Sequence, residues 1–264
     1  MKKRVIISAV VAFVLLVAVI AAGLNAVFTV TLVDASFATF SDGGAASAAA
    51  LEEKLSAFRG KSTTFLDLAD VRALVAEYPC FRLDEVKKVY PARVELSVSE
   101  RRETFACADG RGGYFVLDGE GVCLDTARSG IGNLQTGGDN ILLENFQLNA
   151  EVGRIAEGEY VTELLLATSV FSEEFGQIRA NVRSVTLCIE ASADNTRANR
   201  FDVVMQEGVV IHVFNPSALT AEKARAVAER YRTLSDDEKL YGFIAAVDVG
   251  GEVIVNYDRV DYRD

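Results

Sequence analysis

Val86-Lys87-Lys88-Val89-Tyr90-Pro91-Ala92-Arg93-Val94-Glu95-Leu96-Ser97-Val98-Ser99-Glu100-Arg101 is the stretch that decides the fold. Val94, Leu96 and Val98 alternate with Arg93, Glu95, Ser97 and Ser99, a period of two that turns one face of a strand inward and the other to water. Pro91-Ala92 marks a turn, and Phe81–Tyr90 before it reads as the partner strand. Upstream, Pro79 stops a helix predicted over about Asp67–Glu77, with Val71, Leu74 and Val75 inward and Asp67 placed to cap it. An earlier helix is predicted over Ala45–Phe58, where Leu51, Leu55 and Phe58 share a face and Gly60 lies just past the end. Phe28, Val30 and Leu32 alternate with Thr29 and Thr31, which gives a short strand over Phe28–Val33. Strand–helix–helix–strand–strand over 28–100 makes a small two-layer unit, helices on one face of a sheet.

A second, larger region is expected over 101–264. Thr104–Ala108 and Tyr114–Leu117 read as strands around the glycine-rich turn 109–113, and Asp118-Gly119-Glu120-Gly121 turns the chain into Val122–Leu124. The polar stretch Ser129–Asn140 reads as a surface loop. Helices are expected over Tyr160–Phe175, closed by Gly176, and over Thr220–Leu234, with Thr220 as cap and Lys223 where a capping-box acid would stand. Strands near 183–190, 200–206 and 209–214 precede the second helix. A hairpin of Gly242–Val249 and Glu252–Tyr257 across Gly250-Gly251 follows it. The fold class read from this order is α+β, the larger domain being mainly antiparallel β with two helices.

Toward the N-terminus, Lys2, Lys3 and Arg4 precede an uncharged run from Val5 to Leu24. Twenty helical residues span roughly 30 Å, the thickness of a bilayer's hydrocarbon core. The expected organisation is therefore a cytoplasmic tail over 1–4, a single transmembrane helix over 5–24, and the remainder outside the cytoplasm by the positive-inside rule. The competing reading is a cleavable signal peptide cut near Ala21, Ala22 and Gly23.

With Lys2, Lys3 and Arg4 set aside, 24 basic residues stand against 38 acidic ones, a net −14. That charge argues against nucleic acid as a partner, because phosphate binding needs clustered Lys and Arg. Cys80, Cys107, Cys123 and Cys188 show no CxxC spacing and His212 is the only histidine, so no metal is expected. Either disulfides or buried free thiols fit four such cysteines; strands holding Cys107 and Cys123 on either side of a third would keep those two apart. No GxSxG, GxxxxGK[ST] or HExxH occurs, and His212 lies in the apolar run Val209–Phe214, where a histidine is structural or exposed more often than a general base. The acid pairs Glu52-Glu53, Glu173-Glu174 and Asp236-Asp237 read as solvated faces. No catalysis, cofactor or small-molecule substrate is expected.

The pattern Val86-x-Lys88-x-Tyr90-Pro91-x-x-Val94-x-Leu96-x-Val98-x-Glu100-Arg101 resembles the FtsQ/DivIB cell-division proteins, in which a hydrophobic–x–basic–x–aromatic–Pro strand turns into a V-x-E-R strand. Thr64-Phe65-Leu66-Asp67-Leu68 with Pro79, the segment Gly113–Val122 and the strand Ala246-Val247-Asp248-Val249 are similar to later elements of the same family. The resemblance implies a bitopic, single-pass membrane protein of the division septum, with a POTRA domain (28–100) and a β domain (101–264), without catalysis of its own. It implies as partners the small single-pass coiled-coil proteins FtsB/DivIC and FtsL.

On that reading the function is display, and an unpaired sheet edge is the natural docking element, since β-augmentation supplies backbone hydrogen bonds without a catalytic residue. The resemblance puts partner docking in the C-terminal β region, which nominates Val253, Val255 and Tyr257, with Tyr257 as the better surface anchor. In the POTRA-like unit, Val86, Lys88 and Tyr90 are nominated as a recruitment face. Two other readings stand beside this one: a membrane-tethered extracytoplasmic enzyme or cell-wall ligand binder, and a POTRA-bearing accessory of translocation.

Overall fold

The computed structural model describes residues 11–17, 19–20, 23, 27–191 and 197–259. Two units emerge from the chain's own contacts, 1–101 and 102–264. The whole is α+β, but two expectations are corrected. Among the described residues no helix is long and apolar enough to cross a membrane, so the single N-terminal transmembrane helix is not found. The longest described helical stretch in that range is 11–17. The tail 1–4 and positions 5–10, 18, 21–22 and 24 lie outside the described residues. The second correction concerns the larger unit, described below.

In the first unit the chain runs β1 (Leu32–Ala38), α1 (Asp42–Leu55) with a 3₁₀ turn at Ser56–Phe58, α2 (Leu68–Ala76), β2 (Phe81–Val89) and β3 (Arg93–Glu100). The strands order as β1-β3-β2, with β1 parallel and β2 antiparallel to the central β3. β1 sits later than the expected Phe28–Val33. Thr29 instead bridges Ser62, and pairing begins at Leu32 opposite Arg93. Register with β3 overrode the local alternation. The helices form where the sequence caps them: Ser41 Oγ accepts from Gly44 N at 2.9 Å, and Asp67 from Ala69 N at 2.8 Å. Leu51, Leu55, Phe58, Val71 and Val75 pack on Phe81, Val94, Leu96 and Val98 as one core. The Tyr90–Pro91 peptide is cis.

The Glu100-Arg101 pair that closes the quoted stretch has a structural task. Buried Glu100 accepts from the N–H groups of Phe40 (2.8 Å) and Ser41 (3.1 Å) and from the Ser41 hydroxyl, so its carboxylate sits at the N-terminus of α1. A Cβ on Gly44 would lie 2.1 Å from a Glu100 oxygen, which is why that helical position carries glycine. Arg101 donates to the Phe81 carbonyl through Nε (3.2 Å) and to Cys80 through its backbone N–H (2.7 Å), tying the end of β3 to the start of β2.

The second unit contains β4 (Glu103–Ala108), β5 (Tyr114–Asp118), β6 (Cys123–Arg128), β7 (Ile141–Glu144), β8 (Leu148–Asn149), β9 (Glu157–Gly158), α3 (Val161–Phe175), α4 (Ile178–Asn181), β10 (Val182–Ala191), β11 (Arg197–Met205), β12 (Val210–Phe214), α5 (Thr220–Thr233), α6 (Asp236–Leu240), β13 (Phe243–Val249) and β14 (Glu252–Asp258). Nine of the strands form one sheet, β14-β13-β12-β11-β10-β7-β4-β5-β6. The sheet is mixed, antiparallel in five of its eight pairings and parallel in three, β12–β13, β10–β7 and β7–β4. The short strand β7, absent from the sequence reading, creates two of those parallel pairs. Among the described residues four helices are present where two were expected, the additions being the short α4 and α6. Alternate residues Phe201, Val203, Met205, Ile211, Val213, Ile244 and Ala246 form a core with Phe171 of α3 and Ala224, Val227 and Ala228 of α5. All four cysteines are free thiols, and β5 lies between the strands of Cys107 and Cys123.

Candidate docking edges and the polar clusters behind them

β14 is the terminal strand of the nine-stranded sheet, with β13 on one side and no described strand on the other. Its hairpin turns on Gly250 and Gly251, both with positive φ (62° and 88°), which is the backbone a type I′ turn demands. A two-residue turn makes the flanking pair, Val249 and Glu252, the hydrogen-bonded one. The backbone groups of Glu252, Ile254 and Asn256 therefore point into the ladder, and those of Val253, Val255 and Tyr257 point to the open edge. All three sequence-nominated residues thus present their N–H and C=O groups outward.

Their side chains do something else. Val255 and Tyr257 pack half-buried against the core. The Tyr257 hydroxyl lies 3.1 Å from the Glu238 carbonyl and 2.9 Å from that of Tyr241, and the Arg230 guanidinium stands 5.8 Å from its ring centroid. Burial pushes the Tyr257 hydroxyl pKa up. Tyr257 is thus a strut beneath α6, and the expected surface anchor is the backbone edge. The exposed apolar side chain on β14 is Ile254, 42% accessible. Sequence alternation could have found it on the face opposite Val253 and Val255.

The support for this edge is a residue that sequence reading placed in a cap. Lys223, 0% exposed, sends Nζ from the first turn of α5 to the carbonyls of Phe214 (2.8 Å) and Asn215 (3.0 Å) and to the Asp248 carboxylate. The N-cap is Leu219 at φ 50°, not Thr220, whose hydroxyl instead bonds the Pro216 carbonyl. Since β12, α5 and β13 form a crossover between parallel strands, Lys223 joins the end of one strand to the end of the next. Asp248 precedes the hairpin turn, and its hydrogen bond from Lys223 holds its carboxyl below the usual range.

A second cluster lies on the sheet face away from that core. Asp202 and His212 are cross-strand partners on β11 and β12, with Asp202 Oδ1 2.6 Å from His212 Nδ1 and 2.9 Å from Arg200 Nε. The Cys188 thiol donates to Asp202 Oδ2 at 3.1 Å. Burial opposes ionisation of Asp202, yet hydrogen bonds from His212, Arg200 and Cys188 outweigh it and hold the carboxyl well below the usual range. His212 is 2% exposed, so the arrangement closes on itself and leaves its carboxylate engaged from several sides. A third cluster fixes the loop 129–140. Buried Glu103 takes both terminal nitrogens of Arg128 (2.8 and 3.1 Å) and Leu134 N (3.0 Å). Asn133 and Asn140, expected in a surface loop, are buried and bonded to each other at 2.8 Å.

In the first unit the recruitment residues point different ways. Val86 packs half-buried against the core. Lys88 reaches the Thr64 carbonyl at 3.2 Å. Tyr90 stands 58% exposed with Phe28 edge-on at 6.1 Å. Lys87, on the open face, lies between Glu85 (3.4 Å) and Glu95 (3.5 Å). Exposed Phe65 was not among the nominated residues.

Neither family models nor curated proteins return a match to this chain.

Proposed function

We propose that this protein is a non-catalytic scaffold of the bacterial divisome, akin to the FtsQ/DivIB proteins, acting on the outer side of the cytoplasmic membrane at the septum. Its partners on this reading are FtsB/DivIC-like and FtsL-like single-pass coiled-coil proteins, which it links through extracytoplasmic contacts. The observation that carries the reading is β14: seven paired residues without Pro, Lys or bulge, at the end of a nine-stranded sheet. Such an edge accepts an added strand by backbone hydrogen bonds. The βααββ order of the first unit and the role of Glu100-Arg101 in tying it together also support it.

The test is capture from host membranes with mass-spectrometric readout, comparing the wild type with Val253→Pro/Val255→Pro. These prolines remove two outward N–H groups and leave the β13 ladder its donors. With both proteins melting alike, the wild type should recover small coiled-coil membrane proteins and the variant should lose them. Recovery of none by the wild type overturns the division reading in favour of ligand binding.

A further inference from the structure

Four strands end the two larger sheets, and they guard their outer edges differently. β2 carries Arg82, Asp84, Glu85, Lys87 and Lys88 and a register shift between Leu83 and Glu85. β6 pairs with β5 through two register shifts and carries Asp125 and Arg128. Charges and bulges of this kind keep an edge from accepting another strand. β14 and β1 have no bulge, Lys or Pro. β1 keeps unbroken register with β3 over all seven residues, and among the described residues no strand lies beyond it.

The sequence of β1, Leu32-Val33-Asp34-Ala35-Ser36-Phe37-Ala38, is complementary to itself about Ala35. Laid antiparallel against a second copy with Ala35 opposite Ala35, it sets Asp34 against Ser36 on the open face and Val33 against Phe37 on the helix-covered face. Leu32 then meets Ala38, and every residue of the strand has a partner. A carboxylate facing a hydroxyl and a β-branched side chain facing an aromatic ring are favourable cross-strand pairs. The two Asp34 carboxylates are diagonal neighbours, and each has Arg93 of its own copy at 3.8 Å. Centring the pair on Asp34 instead would set carboxylate against carboxylate. β14 supplies the contrast. Centred on Val255, it would bring Glu252 opposite Asp258 at both ends, and like charges directly opposed are destabilising.

We propose that β1 is a homodimerisation edge, two copies of this chain joining by antiparallel β1–β1 pairing centred on Ala35 into a six-stranded sheet. The charge pattern reserves β14 for a different partner and lets β1 take its own kind. The proposal rests on the first unit alone and stands apart from the divisome reading.

Cysteine cross-linking in the full-length chain tests both the contact and its register. Directly opposed residues have Cα atoms about 4.5–5.5 Å apart, inside the disulfide range, whereas diagonal neighbours lie roughly 7–8 Å apart. Under mild oxidation, Ala35→Cys and the double variant Asp34→Cys/Ser36→Cys should give covalent dimer on the order of tenfold above the wild type, whose four thiols set the baseline. Asp34→Cys and Ser36→Cys alone should stay near that baseline. Ala35 faces the core side, so the double variant at the two exposed positions carries the test if Ala35→Cys does not fold. Light scattering of the wild type should show mass rising from 28.5 kDa toward twice that value with concentration. A monomer at every concentration, or a folded double variant that fails to cross-link, overturns the proposal. Equal cross-linking by the single variants does so too.

Discussion

Replacing Lys223 with Met should destabilise the second unit more than its single ion pair suggests. Lys223 is fully buried, and its Nζ serves the Phe214 and Asn215 carbonyls as well as Asp248. Methionine fills the space but donates nothing. Asp248 keeps a side-chain accessibility of 26%, so water can take over there. Asn215 is exposed and its carbonyl also accepts from Ala218 N at 3.1 Å, so the loss falls mainly on the half-buried Phe214 carbonyl, and an unsatisfied acceptor costs about 1–3 kcal/mol. Relief from burying an ammonium offsets part of this, which leaves a loss of about 1–2 kcal/mol. For a unit of this size each kcal/mol moves the midpoint by about 2–4 °C, so a fall of roughly 2–8 °C is expected in a thermal melt followed by circular dichroism. Partner capture should weaken with it, because Asp248 anchors β13, the only described strand paired with β14. A Lys223→Met protein that melts at or above the wild-type temperature would contradict this.

Three further outcomes are expected. Glu100→Ala removes the acceptor for two backbone N–H groups and a hydroxyl at the start of α1, and should lower the stability of the first unit by about 2–3 kcal/mol in urea unfolding; a shift under about 0.5 kcal/mol would remove Glu100 from that role. Asp202 and Asp248 both have folded-state pKa values below those of the unfolded chain, so their contribution is complete above about pH 4 and fades as pH falls further. The melting temperature should therefore drop on acidification below that point, and Asp202→Asn should flatten the drop; an acid slope unchanged in that variant would rule out Asp202 as a source. Burial raises the Cys80 thiol too, but it pushes Cys107 and Cys123 up to about 11 and encloses them, so a thiol reagent at neutral pH should modify the half-buried Cys80 and Cys188 before these two, as read by peptide mass mapping. Equal labelling of all four in the folded protein would contradict this.

The parts of the fold legible in the sequence are those where a local period survives packing. Val94, Leu96 and Val98 alternate and are buried, Asp67 caps α2, and the Gly250-Gly251 hairpin forms with both glycines at positive φ. Cases where distant register decides were not legible. β1 slides four residues because Leu32 aligns with Arg93, and the four-residue run of β7 gains its identity only by lying between β4 and β10. Lys223 looked like a failed capping residue because nothing local reveals that Asp248, 25 residues on, closes over it. Asp202 and His212 likewise meet only through the β11–β12 register. One miss had a local signal: Ser235 and Glu238 form a complete capping box, the S-x-x-E pattern that starts α6. Val253, Val255 and Tyr257 are nominated as an edge that offers backbone hydrogen bonds, and their backbones point outward while the side chains of Val255 and Tyr257 pack half-buried against the core.

Hydrogen exchange along β14 tests the docking edge most directly, measured with and without the extracytoplasmic part of an FtsB/DivIC-like partner. The account predicts that the amides of Val253, Val255 and Tyr257 exchange fast in the free protein and slow on addition, while Ile254 and Asn256, already bonded to β13, change little. Binding that leaves those three amides exchanging as before, or protection confined to another surface, would contradict it.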